Sequence, residues 1–338
     1  MKAVQVIRPG VVQLIETERP VPGSGEVLLK VLYVGFCGSD LSTYLGKNPL
    51  VTYPRIPGHE IAAVIESKGP DVPEHIQTGR RVTVDPYTHC GHCAACKQER
   101  FNACEHNQTF GVQRDGAMAE YITVPWEKIL DVPELPDREL ALIEPLTVGF
   151  HAVGRGRVTP QDTVMVMGCG MIGVGAITGA AHRGATVIAV DIDDNKLKMA
   201  RKLGAKITIN TIKNNLHETL HKFLHGASPD VVVEAAGNPL TYKAAMKEVS
   251  FTGRVVCIGY AKEDILFATK LWVQKELDIL GSRNALPEDF KGVIQYLKKG
   301  SFPLDSIISK IVTIEEVPHA FSEWADNPAP VFKILLKF

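Results

Sequence analysis

Thr163-Val-Met-Val-Met-Gly168-Cys-Gly170-Met-Ile-Gly173 decides the reading of the fold. A short apolar run, Thr163–Met167, ends in a glycine-rich turn, and a helix-length segment follows to about Arg183. In a G-x-G-x-x-G turn the first glycine permits the tight reversal, the second lets backbone approach a pyrophosphate, and the third lets helix pack on strand. The helix that opens there presents unpaired N–H groups and a positive dipole to phosphate. Gly168, Gly170, Ile172 and Gly173 are therefore the candidate cofactor-binding residues of this turn.

Working outward, Thr186–Val190 reads as the next strand and Asp193–Leu203 as a helix. Lys206–Asn210, Asp230–Ala235, Arg254–Gly259 and Leu277–Gly281 supply further strands, with helical segments between most of them. Alternation of this kind predicts right-handed βαβ units and a doubly wound parallel sheet, an α/β Rossmann domain. Asp191 ends the second strand, 23 positions after Gly168. A carboxylate there can accept hydrogen bonds from both ribose hydroxyls and would repel a 2′-phosphate, which favours NAD over NADP. The bland alternative is a structural turn with a helix-capping Asp; the βαβ series that follows argues against it.

Before this region the chain is β-rich. Val27–Val34, Ile61–Ser67, Arg81–Val84 and Ala119–Val124 are bounded by Gly, Pro and Asp, which predicts a compact, barrel-like first domain. The tail, Val331–Phe338, reads as a strand after a helix around Pro287–Lys299, and is expected to return to the first domain. The predicted division is 1–145, 146–283 and a return segment 284–338.

Bulk properties narrow the function. A chain of 338 residues with 45% hydrophobic and 22% charged residues has room for two ordinary cores. A formal charge of −1 gives no basic surface for nucleic acid. No run approaches the ~18 apolar residues of a membrane span, and Met1–Gly10 lacks the apolar core of a signal peptide, so a cytoplasmic location is expected.

Four of the seven cysteines crowd into Cys90, Cys93, Cys96 and Cys104, a C-x2-C-x2-C-x7-C loop. Four thiolates on one short loop can close a tetrahedral zinc site with no open position, a structural site. An iron–sulfur cluster is the alternative, but the bacterial ferredoxin run ends in C-x3-C-P and here Glu105 follows the last cysteine. His89, His92 and His106 are read as bystanders, since four cysteines already fill a tetrahedron. A second, dispersed set consists of Cys37 in Gly-Phe-Cys-Gly-Ser-Asp, His59 and Glu60 in Pro-Gly-His-Glu, and Glu144 in Ile-Glu-Pro-Leu. Taken singly, each has an ordinary reading as a core or hydrogen-bonded residue.

The combination, in order along the chain, resembles the zinc-containing medium-chain alcohol dehydrogenases. Glu144, where classical alcohol dehydrogenases carry Cys, is similar to the polyol branch that includes sorbitol dehydrogenase. Gly281-Ser-Arg-Asn-Ala-Leu-Pro-Glu-Asp-Phe290 is similar to the sugar-acid members, the L-galactonate and L-gulonate 5-dehydrogenases. The resemblance implies a mainly β GroES-like catalytic domain beside the Rossmann domain, an active site in the cleft between them, two zinc ions per chain, NAD as cofactor, and a homodimer or homotetramer. It implies that Cys37 and His59 bind the catalytic zinc, with Glu60 or Glu144 supplying a carboxylate. Asp40 would orient His59, Ser39 would contact the substrate hydroxyl and begin the proton path, and Arg283 would lie near the metal-bound water. Where many relatives carry a relay His, this chain has Ser42, so Ser42, water or the cofactor ribose would end the path. Zinc in such a site acts as a Lewis acid on the hydroxyl, and the carbon gives hydride to NAD+.

A polyhydroxylated substrate needs convergent hydrogen-bonding groups. Ser39, Ser42, Tyr44, Gln113, Arg114, Glu144, Arg283 and Asn284 are the candidates. Arg114, in the loop Phe110–Gly116, suits a sugar-acid carboxylate through its bidentate fork, or is a solvated loop residue. Two further readings stand beside the sugar-acid or polyol one: an amino-alcohol dehydrogenase of the L-threonine type, and a non-catalytic NAD-binding regulator.

Overall fold

The structure, a computed structural model, describes all 338 residues from Met1 to Phe338. The chain divides into two units: Met1–Glu144 with Leu297–Phe338, and Pro145–Tyr296.

The second unit is a six-stranded parallel sheet in the order Ile207–Asn210, Thr186–Asp191, Thr163–Met167, Val231–Glu234, Arg254–Cys257, Asp278–Gly281. Successive strands wind outward in both directions from Thr163–Met167, so the glycine turn after that strand sits at the topological switch point, where doubly wound sheets bind ligands. The central strands are buried throughout, Val231–Glu234 at all four positions, as a parallel sheet covered on both faces requires. Met165, Ile188, Val232 and Val255 pack in its core with Ala245 and Met246 of the helix Pro239–Glu248.

The first unit is mainly β. Its seven-stranded sheet runs Ile308–Val312, Lys333–Lys337, Glu26–Gly35, Glu60–Lys68, Arg81–Val84, Ile129–Asp131, with Tyr121–Pro125 also on Glu26–Gly35. The expected barrel is an open path of hydrogen-bonded strands with Ile308–Val312 and Ile129–Asp131 at its ends. Glu26–Gly35 is its organiser, paired to three strands. Register shifts between Leu28 and Leu29 and between Val31 and Tyr33 interrupt its ladder with Glu60–Lys68, which increases local twist. The tail strand Lys333–Lys337 sets Leu335 opposite Gly35 and Leu336 opposite Val34.

Two features depart from the sequence reading. Asp137–Arg155 is a single helix of 19 residues with Pro145 inside it, and the two units divide at Glu144 and Pro145 within that helix. The helix Pro287–Leu297 lies, but for its last residue, in the second unit, so the return segment starts at Leu297 rather than at 284. Phe290 and Val293 of that helix are fully buried. No helix is long and apolar enough to cross a membrane.

Candidate metal and cofactor sites

In the second unit, Gly168 has φ 91° and a Cβ there would meet the backbone N of Ala236 at 2.9 Å. A Cβ on Gly173 would lie 1.9 Å from the carbonyl oxygen of Gly168, so the helix Met171–His182 approaches the turn as closely as backbone allows. Beside Gly170, by contrast, nothing lies within 4 Å of a built Cβ, which leaves open space at the helix N-terminus. Ile172 is half-buried in the first turn. Asp191 accepts from Cys169 N at 2.7 Å through Oδ2, and from Ile192 N and Asp193 N through Oδ1. A carboxylate offers about four lone-pair positions, so acceptor capacity remains. Arg283 and Asn284 follow the edge strand of this unit, Asn284 with φ 51°.

In the first unit, the four cysteines of the 90–104 loop converge. Their sulfurs lie within 4.8 Å of one another, Cys90 to Cys96 at 4.0 Å and Cys93 to Cys104 at 3.9 Å. A tetrahedral ion with Zn–S bonds of about 2.3 Å implies S···S separations of roughly 3.8 Å. Backbone N–H groups already point at the sulfurs: Cys93 N at Cys90 Sγ, 3.4 Å, and Cys90 N and His106 N at Cys104 Sγ, each 3.3 Å. Such donors favour thiolate, and N–H groups of Cys96 and Glu105 pull the Cys93 thiol down to about 6. The loop fits a four-thiolate metal.

The dispersed set also converges. Ligand atoms of Cys37, His59 and Glu60 lie within 4.8 Å of one another, with His59 and Glu60 buried. Cys37 precedes the helix Gly38–Tyr44, and His59 immediately precedes the strand Glu60–Lys68, which Glu60 opens. His59 Nδ1 is buried without a hydrogen-bond partner. Burial works against a charge on His59, but Cys37, Asp40 and Glu144 outweigh it and raise its pKa well above the usual value. A half-buried thiol, a buried imidazole and three buried carboxyl groups gather around one buried lysine. A zinc ion fits that donor set.

The two carboxylates are held differently. Both oxygens of Glu60 accept from Lys333 Nζ, at 2.6 and 2.5 Å. Oε1 of Glu144 accepts a short hydrogen bond from the buried hydroxyl of Tyr87. Burial, and next the charge of Glu60, push the Glu144 carboxyl up to about 7. Asp40 does not hydrogen-bond His59 as expected. Its Oδ2 accepts from Cys37 N at 2.9 Å, capping the helix, while Oδ1 has no partner. Its effect on His59 is through charge.

Residues 23–134 match the family described as alcohol dehydrogenase GroES-like domain, and residues 172–299 match zinc-binding dehydrogenase. L-galactonate-5-dehydrogenase of Escherichia coli K12 is 33% identical over 96% of this chain and 95% of its own length. Sorbitol dehydrogenase of Bacillus subtilis 168 is 34% identical over 89% and 87%. The crystal structure of the short chain alcohol dehydrogenase rspB from E. coli CFT073, complexed with NADH, superposes with a TM-score of 0.93 at 33% identity, covering 100% of this chain and 99% of that one. The chain belongs to the zinc-type medium-chain dehydrogenases, in their polyol branch.

Within this dehydrogenase, the remaining sequence candidates separate. Ser39 Oγ is buried and unpartnered, poised for a ligand. Ser42 is half-buried on the same helix, its carbonyl accepting from Lys47 N. Tyr44 packs against the core with its ring stacked on Phe321 at 5.5 Å. Gln113 Oε1 accepts from Thr109 N at 2.9 Å. Arg114 stacks on Phe110, 3.8 Å from the ring centroid, and its Nε and Nη2 are buried with no partner. Its loop is anchored beside the metal donors: Gly116 N, Ala117 N and Met118 N bond the carbonyls of Ile56, Gly58 and Pro57, just before His59. Sequence reasoning missed Lys333 and Tyr87. Nothing local marks either; the only hint is a lysine at the start of an otherwise apolar tail strand, Lys333-Ile-Leu-Leu.

Proposed function

We propose that this dehydrogenase oxidises a secondary hydroxyl of a linear sugar acid or polyol to a ketone with NAD+, and that each chain binds one catalytic and one structural zinc. The observation that carries the reading is the convergence of Cys37, His59 and Glu60, with His59 and Glu60 buried and an imidazole nitrogen unsatisfied. When bound there, zinc supplies Lewis acidity toward a substrate hydroxyl, and NAD+ accepts the hydride. Ser39 Oγ, buried and unpartnered, would accept the hydroxyl proton and pass it toward Ser42 or water. Asp40 would favour a polarised His59 by its charge. Asp191 would hold the adenosine ribose and disfavour a 2′-phosphate. The open space beside Gly170 would receive the pyrophosphate.

Arg114 favours an acid over a neutral polyol. Nε and Nη2 form one edge of the guanidinium, the edge that meets a carboxylate with two parallel hydrogen bonds. Leaving both buried and unpaired is costly unless a ligand pairs them. L-gulonate and L-galactonate are the leading substrates of this reading. A homodimer or homotetramer belongs to it too, supported by the outer strand Asp278–Gly281, which has no neighbour on one edge and exposes Ile279.

The test is zinc analysis of purified protein, then NADH formation with L-gulonate, L-galactonate, sorbitol, galactitol, L-threonine and ethanol. Two zinc ions and highest kcat/KM for an aldonate are expected. A neutral polyol better by tenfold would remove the acid, and L-threonine as the best substrate would remove the sugar reading.

A further inference from the structure

The helix Leu216–Phe223 carries His217-Glu218-Thr219-Leu220-His221, a spacing that sets two imidazoles one turn apart on a single helix face. Leu216, Leu220 and Leu224 pack on the core of the second unit, Leu220 at 2% exposure, and dock the helix on the sheet. His217 and His221 each come one position after a leucine of that stripe, so they stand beside the docked face and are exposed. Asn215 caps the helix, its side chain accepting from Glu218 N at 3.2 Å. The ring centroids of His217 and His221 lie 6.4 Å apart, with 41° between the planes.

The first of these rings is already held as metal-binding imidazoles are. Its Nδ1 lies 2.8 Å from Oε2 of Glu248, a buried carboxylate at the end of the neighbouring helix Pro239–Glu248. A carboxylate only accepts, so Nδ1 carries the proton, and Nε2 of the neutral ring keeps its lone pair. Metal-bound histidines almost always donate their other N–H to such a partner. Metal–nitrogen bonds of about 2.1 Å place two rings on one ion with centroids roughly 5 Å apart, so a small turn of the exposed His221 ring closes the pair. Gly226, beside that ring, contributes no side chain to hinder the turn. We propose that His217 and His221 bind a zinc ion of their own at the surface of the second unit, with Glu248 as the positioning residue that orients His217. Water completes the coordination. Glu218 occupies the place of the base in hydrolases with this spacing. Both ligands are open to bulk water, so the assignment is binding rather than hydrolysis. It stands independently of Cys37, His59 and Glu60, which belong to the other unit.

The experiment uses the full chain with its resident metals, counted beforehand, and dialyses it against rising free zinc. Two protein donors hold an ion more weakly than three or four, so this site empties during purification and refills at micromolar zinc. Wild type takes up one further ion per chain, and its melting temperature rises with zinc, as binding to the folded state requires. His217→Gln and His221→Gln bind that ion at least tenfold more weakly and lose the rise in melting temperature. His225→Gln, just beyond the helix, stays within threefold of wild type. Glu248→Gln weakens binding by about 10–100-fold, as partners of metal-bound histidines do. It also shifts the visible bands of cobalt bound at the site, which a purely structural carboxylate would leave in place. His221→Gln changes an exposed residue and decides the matter if Glu248→Gln does not fold. A wild type that takes up no further ion would overturn the proposal. So would a further ion that His221→Gln keeps within threefold, because that zinc is held elsewhere. Folded Glu248→Gln with unchanged affinity and bands would overturn the role of the carboxylate.

Discussion

Asp191 Oδ2 lies 2.7 Å from the backbone N of Cys169, so the acid at the end of one strand is tied to the glycine turn at the end of its neighbour. The same carboxylate that would read the ribose therefore also steadies the phosphate loop. Asp191→Ala should weaken NAD+ binding by more than one hydrogen bond's worth. Charge-assisted bonds contribute about 1.5–3 kcal/mol each, and 1.4 kcal/mol is tenfold in affinity. We expect NADH affinity, followed by its fluorescence, to fall by roughly 10–100-fold, and discrimination against NADP+ to narrow. Wild type that uses both cofactors equally would show that Asp191 is not selecting between them.

Two glycines three residues apart should answer a methyl group in opposite ways. Gly170 is extended, with φ −70° and ψ −172°, and has open space around a built Cβ. Gly170→Ala should leave thermal stability within about 0.5 kcal/mol and weaken cofactor binding, because the methyl occupies the space a pyrophosphate would use. Gly173→Ala places its methyl 1.9 Å from a backbone oxygen, where no side chain can yield. It should destabilise the second unit by about 1–3 kcal/mol, as overpacking does, and lose cofactor with it. Equal melting temperatures for the two variants would contradict this.

The contrast explains what the sequence disclosed. The glycine turn, Asp191 and the four-cysteine loop are local: their chemistry is fixed by spacings of 2 to 23 residues, so they are visible without a fold. Strands such as Arg81–Val84 and Thr163–Met167 fall where their apolar runs predict. The ion pair of Lys333 with Glu60 and the bond of Tyr87 to Glu144 span 273 and 57 residues; the sheet's register creates the first, and the packing of a helix against a loop the second. Pro145 hid a helix of 19 residues, because proline reads as a breaker although a long helix can accommodate one. Nor could composition show that the Tyr44 ring stacks on Phe321 or that Gln113 Oε1 accepts from Thr109 N.

The two metal sites should fail differently. Cys37→Ala or His59→Ala removes a donor from the dispersed set and should abolish turnover. NADH binding should persist, because Gly168, Gly170, Gly173 and Asp191 belong to the other unit. Zinc content should fall by one ion per chain. Cys104→Ala opens the four-thiolate loop, which depends on its metal for folding energy, and should lower the melting temperature of the first unit. A mild chelator should stop activity before it unfolds wild type, since a closed site releases its ion more slowly than an open one. Turnover retained in Cys37→Ala, or a stable Cys104→Ala with both ions in place, would contradict this division.

Arg114 offers a test in which stability and function separate. Burial disfavours its charge, two of its nitrogens are unpaired, and its visible contact is the ring of Phe110. Arg114→Met forfeits a cation–π contact of about 0.5–1 kcal/mol but relieves unpaired buried donors that cost about 1–3 kcal/mol. Its melting temperature should therefore hold or rise. If the edge of the guanidinium meets the substrate carboxylate, kcat/KM for an aldonate should fall by roughly 10–200-fold, mainly through KM, while that for sorbitol changes less than threefold. Arg114→Lys should not restore the acid, because a point charge lacks the planar fork. If instead the side chain is structural, Arg114→Met will melt earlier and lose activity equally toward acid and polyol, and the anion role fails.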